Sequence, residues 1–223
     1  MGISTPSAPR TQIIYPDSDG KPMADNTLQF QWIVTIKEGL EHVFHDQPKV
    51  FVAGDLLWYP AEGHPKIRQA PDALVAFGRP KGYRGSYKQW EEGGIAPQVV
   101  FEVLSPGNRA GKMSKRFKFY EKYGVDECYI YDPDHVKLTG HQRNQGKLEP
   151  IARVDGWISP LLGIRFDMSG PELVIYGPDG RRFLTYQELA QQNDQLVQER
   201  DAERRRAERM AAQLRAMGVE PPQ

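Results

Sequence analysis

Two carboxylates stand out by the residues around them. Asp72 follows Pro71 and opens the apolar run Ala73-Leu74-Val75-Ala76-Phe77, and Glu102 lies inside Val99-Val100-Phe101-Glu102-Val103-Leu104. Short apolar runs rich in β-branched residues read as strands buried on both faces. A carboxylate in such a strand carries a large desolvation cost unless a cation, a proton or hydrogen-bond donors offset it. Two of them on separate strands can share Mg²⁺ or Mn²⁺, hard cations that take oxygen ligands and keep several waters. Such an ion activates water and stabilises charge on a phosphate oxygen. The position two residues beyond Glu102 often lends its backbone carbonyl to such a shell, and here it is Leu104. The plainer alternative is that each acid caps a turn or pairs with an arginine, and Pro-Asp is a turn signal.

Phosphoryl chemistry also wants a basic group to orient the attacking water or neutralise developing charge. Between positions 109 and 122 stand Arg109, Lys112, Lys115, Arg116, Lys118 and Lys122, opposed by Glu121 alone. In a helix, residues three and four apart share a face, which groups Lys112, Lys115 or Arg116, and Phe119. Lys115 and Arg116 are the candidate catalytic bases; a solvated basic face is the competing reading. The stretch Gly78 to Trp90 carries Arg79, Lys81, Arg84 and Lys88 with no acid, interleaved with Tyr83, Tyr87 and Trp90. Basic and aromatic residues on a mobile loop suit phosphate contact and base stacking. Together with Lys112 they form the expected nucleic-acid contact; a surface loop with aromatic anchors is equally consistent.

The elements that must position these groups follow from pattern. Asp25 or Asn26 can cap a helix over Thr27 to His45, with Ile33, Ile36, Leu40, Val43 and Phe44 on one face and Gly39 as a weak point. Strands are expected at Val50 to Tyr59 (one strand or a hairpin arm), Asp72 to Phe77, Gln98 to Leu104 and Glu127 to Tyr131. A turn at Ser105-Pro106-Gly107-Asn108 leads into a helix from Gly111 to Tyr123, stopped by Gly124. The third strand, this helix and the fourth strand make a crossover unit of parallel strands. Hairpin-like pieces follow at Lys137 to His141 and Leu148 to Val154, then short apolar segments from 157 to 183. The core is therefore a mixed α/β structure, a mixed sheet with helices packed on it.

The ends differ from the middle. Residues 1–25 hold Pro6, Pro9, Pro16 and Pro22 and read as a flexible or loosely docked leader. From 184 to 223 the chain is charged and helical. Leu189, Leu196, Met210 and Met217 share one heptad position, interrupted by Glu203, and Asn193, Arg200, Ala207 and Leu214 share the other. A short dimeric coiled coil and a single solvated helix both fit that pattern.

The 223 residues contain 29 basic and 29 acidic side chains, a balance that argues against a protein permanently coated on nucleic acid. The single cysteine, Cys128, sits in an apolar run and excludes an intramolecular disulfide or a cysteine zinc cluster. The five histidines, His42, His45, His64, His135 and His141, are scattered and read as surface residues. No P-loop, Rossmann fingerprint or nucleophile elbow is present. With no secretory signal and no apolar run of 18 residues, a soluble cytoplasmic protein is expected.

Pro71-Asp72, then Glu102-Val103-Leu104-Ser105-Pro106, then the basic helix, then Glu127-Cys128-Tyr129-Ile130-Tyr131-Asp132-Pro133, resemble the Uma-type endonuclease family of the PD-(D/E)xK superfamily over roughly residues 26 to 170. The resemblance implies a restriction-endonuclease-like domain over 26–183 with a metal site at Asp72 and Glu102. The superfamily lysine two residues after the glutamate is Leu104 here; in the Uma-type family the basic residue falls on the following helix, at Arg116 with Lys115 beside it. An acid common one turn earlier is Lys112 in this chain. The superfamily's further acid from the first helix would be Glu38 or Glu41. The resulting expectation is an Mg²⁺- or Mn²⁺-dependent endonuclease acting on DNA as a homodimer, without an organic cofactor. The alternatives are a catalytically inactive binding module on the same fold and a scaffold whose tail recruits a partner.

Overall fold

Asn26 starts the first helix: its side chain accepts from the Gln29 N–H at 2.8 Å, and α1 runs Thr27–Val43. Apolar residues at helical spacing then bury Trp32, Ile33, Ile36 and Leu40 against a sheet. In a computed structural model the chain is described over residues 13–20, 22–106 and 111–217, with the side chains of 111 and 112 left aside. The strands are β1 (Val50–Gly54), β2 (Trp58–Tyr59), β3 (Ala73–Phe77), β4 (Tyr87–Lys88) and β5 (Val99–Val103); α2 spans Gly111–Tyr123. Then come β6 (Glu127–Asp132), β7 (Lys137–Asn144), β8 (Lys147–Pro150), β9 (Arg165–Asp167), β10 (Val174–Tyr176) and α3 (Tyr186–Ala216).

Among the described residues the main sheet has six strands in the order β1-β3-β5-β6-β7-β8. Its one parallel pair is β5 with β6, joined through α2, and the remaining pairs are antiparallel. Strand side chains alternate between faces. One face (Val50, Val52, Ala73, Val75, Val99, Phe101, Val103) packs under α1, and the other (Phe51, Leu74, Ala76, Val100, Cys128) packs under Met113 and Tyr120 of α2. Two smaller sheets flank this core, β9 with β10 antiparallel and β2 with β4 parallel.

Several expectations change. The run Val50 to Tyr59 is not one strand: Asp55 adopts φ 47°, a left-handed conformation that aspartate tolerates, and this separates β1 from β2. The basic loop contains β4 and is tied down rather than mobile. The leader, over residues 13–20, docks on β2 and β4: Tyr59 donates to the Pro16 carbonyl at 2.6 Å, and Tyr15 packs on Tyr59 and Trp90. Gly39 does more than weaken the helix: a Cβ there would lie 2.1 Å from the Phe183 ring, so the glycine makes room for it. Parts of the expected turn before α2, together with Arg109, lie outside the described residues. His141 is partly buried against Phe117, and burial holds its imidazole below the usual range.

The chain divides into two compact units, Met1–Phe183 and Leu184–Gln223. In the second, Thr185 caps α3 with a reciprocal bond to Glu188, and the helix buries no residue. Among the described residues no helix is long and apolar enough to cross a membrane.

Cys128 is the second residue of β6 and has no exposed surface, and burial, then the charge of Glu102, push its thiol well above the usual range. Native protein is therefore expected to react with an aromatic disulfide reagent orders of magnitude more slowly than protein unfolded in urea; comparable rates would show that β6 opens freely.

Candidate metal centre

The sheet register assembles the site. The β3–β5 pairs Ala73↔Phe101, Leu74↔Val100 and Val75↔Val99, continued by one residue, set Asp72 opposite Glu102. The β1–β3 pairs end at Gly54↔Ala73, and the next position sets Asp55 opposite Asp72. By alternation all three face α2. Asp55 went unremarked in the sequence because it stands just past a strand end; its signal was an acid closing an apolar run, as Asp72 opens one.

Asp72 is 5% exposed and its Oδ2 accepts from the Val103 N–H at 2.6 Å. Burial and the charge of Glu102 push its carboxyl well above the usual carboxylate range, with the Val103 N–H and Arg116 pulling back. Glu102 is fully buried, and both its oxygens are engaged: Oε2 by the Arg116 guanidinium and Oε1 by the Tyr120 hydroxyl. Burial raises its carboxyl, opposed by Arg116 and Tyr120. Burial also works against the charge of Arg116, but Glu102, Tyr120 and Asp72 reverse this and hold the guanidinium above its ordinary value. Tyr120 is driven well above the phenol range by burial and by Glu102, so it acts as a donor. Asp55 is raised by burial and then by Asp19, and lowered by Arg116.

Helix phase decides which base enters. Met113, Arg116 and Tyr120 share the inward stripe of α2, whereas Lys115 is exposed, so of the two candidate bases Arg116 is the one that reaches Glu102. The signal for Tyr120 was its i+4 spacing from Arg116. Lys112 belongs to α2, but its side chain lies outside the described residues. Leu104 packs its side chain into the α2-side core and donates its N–H to the Tyr131 carbonyl at 2.7 Å; only its carbonyl is left for a cation. Glu38 pairs with Lys37 and Glu41 with Lys81, on the helix across the sheet, so neither joins the cluster.

The loop bases are fastened internally. Arg84 bonds Glu92 at 2.6 Å and stacks over Phe51; Arg79 reaches the Glu92 carbonyl at 2.5 Å; Lys81 bonds Glu41 at 2.5 Å; Lys88 bonds Glu91 at 3.3 Å. The acids Glu91 and Glu92 lie just beyond the stretch that looked wholly basic.

Glu127 is also a buried carboxylate that sequence reasoning passed over. It is satisfied by Ser159, by the Tyr129 hydroxyl at 2.9 Å and by the Leu161 N–H at 3.2 Å. Neutral donors alone surround it in these contacts, which reads as a structural anchor. Glu102, by contrast, holds a formal cation.

Among the described residues no three His, Cys, Asp or Glu side chains converge closely enough to hold a metal. The donor chemistry still fits a hard dication. Asp72 and Glu102 offer oxygen on one face, and a site of one or two carboxylates is ordinary for Mg²⁺ when waters and substrate phosphates fill the remainder.

The described residues thus form a mixed sheet with helices on both faces and with Asp72 and Glu102 opposed at one end of the β3–β5 pair, an architecture like that of restriction endonucleases. The chain belongs to the family described as "Uma2: Putative restriction endonuclease", whose model matches residues 22–171. A crystal structure of a putative nuclease belonging to DUF820 from Anabaena variabilis ATCC 29413 is similar at 18% identity and a TM-score of 0.46, covering 64% of this chain and 78% of that one. No curated protein matches.

Tyr120→Phe keeps the ring, which stacks parallel to Trp58 at 6.4 Å, and removes one donor from Glu102. The expected cost is about 1–3 kcal/mol, measured by denaturant unfolding. An unchanged midpoint would show that Oε1 does not depend on this hydroxyl.

Proposed function

We propose that this chain is a divalent-metal-dependent nuclease that hydrolyses phosphodiester bonds in DNA. The observation that carries the reading is the pair of buried carboxylates opposite one another, one just before β3 and one within β5, with an inward guanidinium from α2. Asp72 and Glu102, with the Leu104 carbonyl, would hold Mg²⁺ or Mn²⁺. When bound, such an ion supplies an activated water and charge stabilisation at the phosphate. Val103 fixes one oxygen of Asp72 through its N–H, and Tyr120 fixes one oxygen of Glu102. Arg116 supplies positive charge beside the reacting phosphate; its permanent charge suits electrostatic stabilisation better than proton transfer. Lys115 stands on the exposed side of the same helix, where it would meet the phosphate backbone; Lys112 precedes it by three positions in the sequence and is proposed as a further contact. Lys88, whose ion-pair partner Glu91 is itself exposed, is the next contact, and Arg79, Lys81 and Arg84 shape the loop that presents it.

One observation favours a second reading, a nucleic-acid-binding module without catalysis: Glu102 already has both oxygens occupied by protein groups. Cleavage of a DNA duplex with Mn²⁺ separates the two. Asp72→Asn and Glu102→Gln are each expected to lower the rate by about two orders of magnitude or more while the fold persists by circular dichroism. Wild-type protein that binds duplex but never cuts it would establish the module instead, and an RNA substrate cut in preference to DNA would correct the substrate.

We further propose that α3 pairs with a second copy. Leu189, Leu196, Met210 and Met217 are exposed along one heptad position. In a parallel pair Glu199 of one copy would face Arg204 of the other across the seam. Light scattering of the full chain should give twice the mass of a chain ending at Phe183 beyond the difference in length; equal oligomeric state would remove the coiled coil.

A further inference from the structure

A metal at Glu102 would meet a carboxylate that already holds a cation. It has no exposed surface, so an ionised carboxylate at this place needs a cation at all times. In the structure that cation is Arg116. The guanidinium side chain is 22% exposed, so it bridges the buried carboxylate and the solvent edge of α2. Its long stem leaves it free to turn outward without moving the helix. One oxygen of Asp72 is committed to Val103, and the Tyr120 hydroxyl holds Oε1 of Glu102. Of the two Glu102 oxygens, Oε2 has a cationic partner, so a dication at this carboxylate would repel the Arg116 guanidinium.

We propose that Arg116 and a divalent cation compete for Glu102, and that a substrate phosphate draws the guanidinium away, so that metal enters with nucleic acid and not before it. This rests on the nuclease reading and deepens it. Arginine is suited to the exchange because its planar fork fits a phosphate as well as a carboxylate, in either case through two parallel hydrogen bonds. The exchange also conserves charge at each step. Arg116 leaves one anion for another, the dication takes the carboxylate left behind, and a phosphate oxygen is available to complete its shell. Tyr120 keeps Glu102 oriented throughout, since its ring is locked by stacking on Trp58. A lysine in the same position would release Glu102 more readily, because it offers a point charge rather than a fork.

Mn²⁺ titration by calorimetry tests this on the full chain, with binding rather than cleavage as the readout. Wild-type protein alone is expected to bind weakly. Arg116→Met should bind about tenfold or more tightly, and a duplex with uncleavable phosphorothioate linkages should raise wild-type affinity by a similar factor. The gain in Arg116→Met should vanish when Glu102→Gln is added. Arg116→Lys, which keeps a cation beside Glu102, should fall between wild type and Arg116→Met, and it replaces Arg116→Met if that variant does not fold. Equal Mn²⁺ affinity in wild type and the Arg116 variant overturns the competition and leaves the metal site standing. A duplex without effect on wild-type affinity overturns loading by substrate. No Mn²⁺ binding by any form overturns the competition and the metal reading beneath it together.

Discussion

A negative charge inside a sheet must be answered, and the answer given to Glu102 organises much of this molecule. The carboxylate is sealed between β5 and α2, where water cannot reach it. Desolvation there is expensive enough that a partner has to be built in. The crossover helix provides two, Arg116 and Tyr120, four residues apart on one stripe. The helix phase, the parallel pairing of β5 with β6 and the opposition of Asp72 to Glu102 all bear on the same small volume. A slip of one residue in the β3–β5 register would send Asp72 to the α1 face and dissolve the constellation.

The two fully sealed glutamates illustrate how environment separates structure from chemistry. Glu127 is met by a serine, a tyrosine and a backbone amide, and it fastens the segment around Ser159 to β6. Those donors match its oxygens and bring no mobile charge. Glu102 is met by a guanidinium that reaches solvent, in the field of two further carboxylates. The first arrangement has nothing to exchange. The second has a cation that another cation can replace.

Much of this could be read from residue order alone, for identifiable reasons. The first helix announced itself through apolar spacing and an asparagine cap, and the crossover helix through its glycine stop, Gly124 at φ 98°. Asp72 and Glu102 were legible because acids are conspicuous in apolar strands. Short-range pattern failed where pairing partners are distant. The two-residue strands β2 and β4 have no period to detect, and the leader docks through single contacts such as Tyr15 on Trp90. The loop cations looked free because Glu91 and Glu92 stand just past the basic stretch and Glu41 comes from α1, forty positions earlier than Lys81. The sequence left Lys115 and Arg116 both open because adjacent bases give no phase; the stripe of Met113 and Tyr120 places Arg116 inward.

Gly39 and Phe183 carry a consequence for how the first unit closes. The ring of the unit's final residue occupies the space that a side chain would take toward the end of α1. Residues 144 positions apart are therefore in van der Waals contact. Phe183 also donates its N–H to the Ile175 carbonyl at 2.8 Å, so the same residue is held by β10 and by the bare backbone of α1. Any side chain at position 39 would have to displace that ring, and the absence of one atom decides where the last segment of the unit can lie.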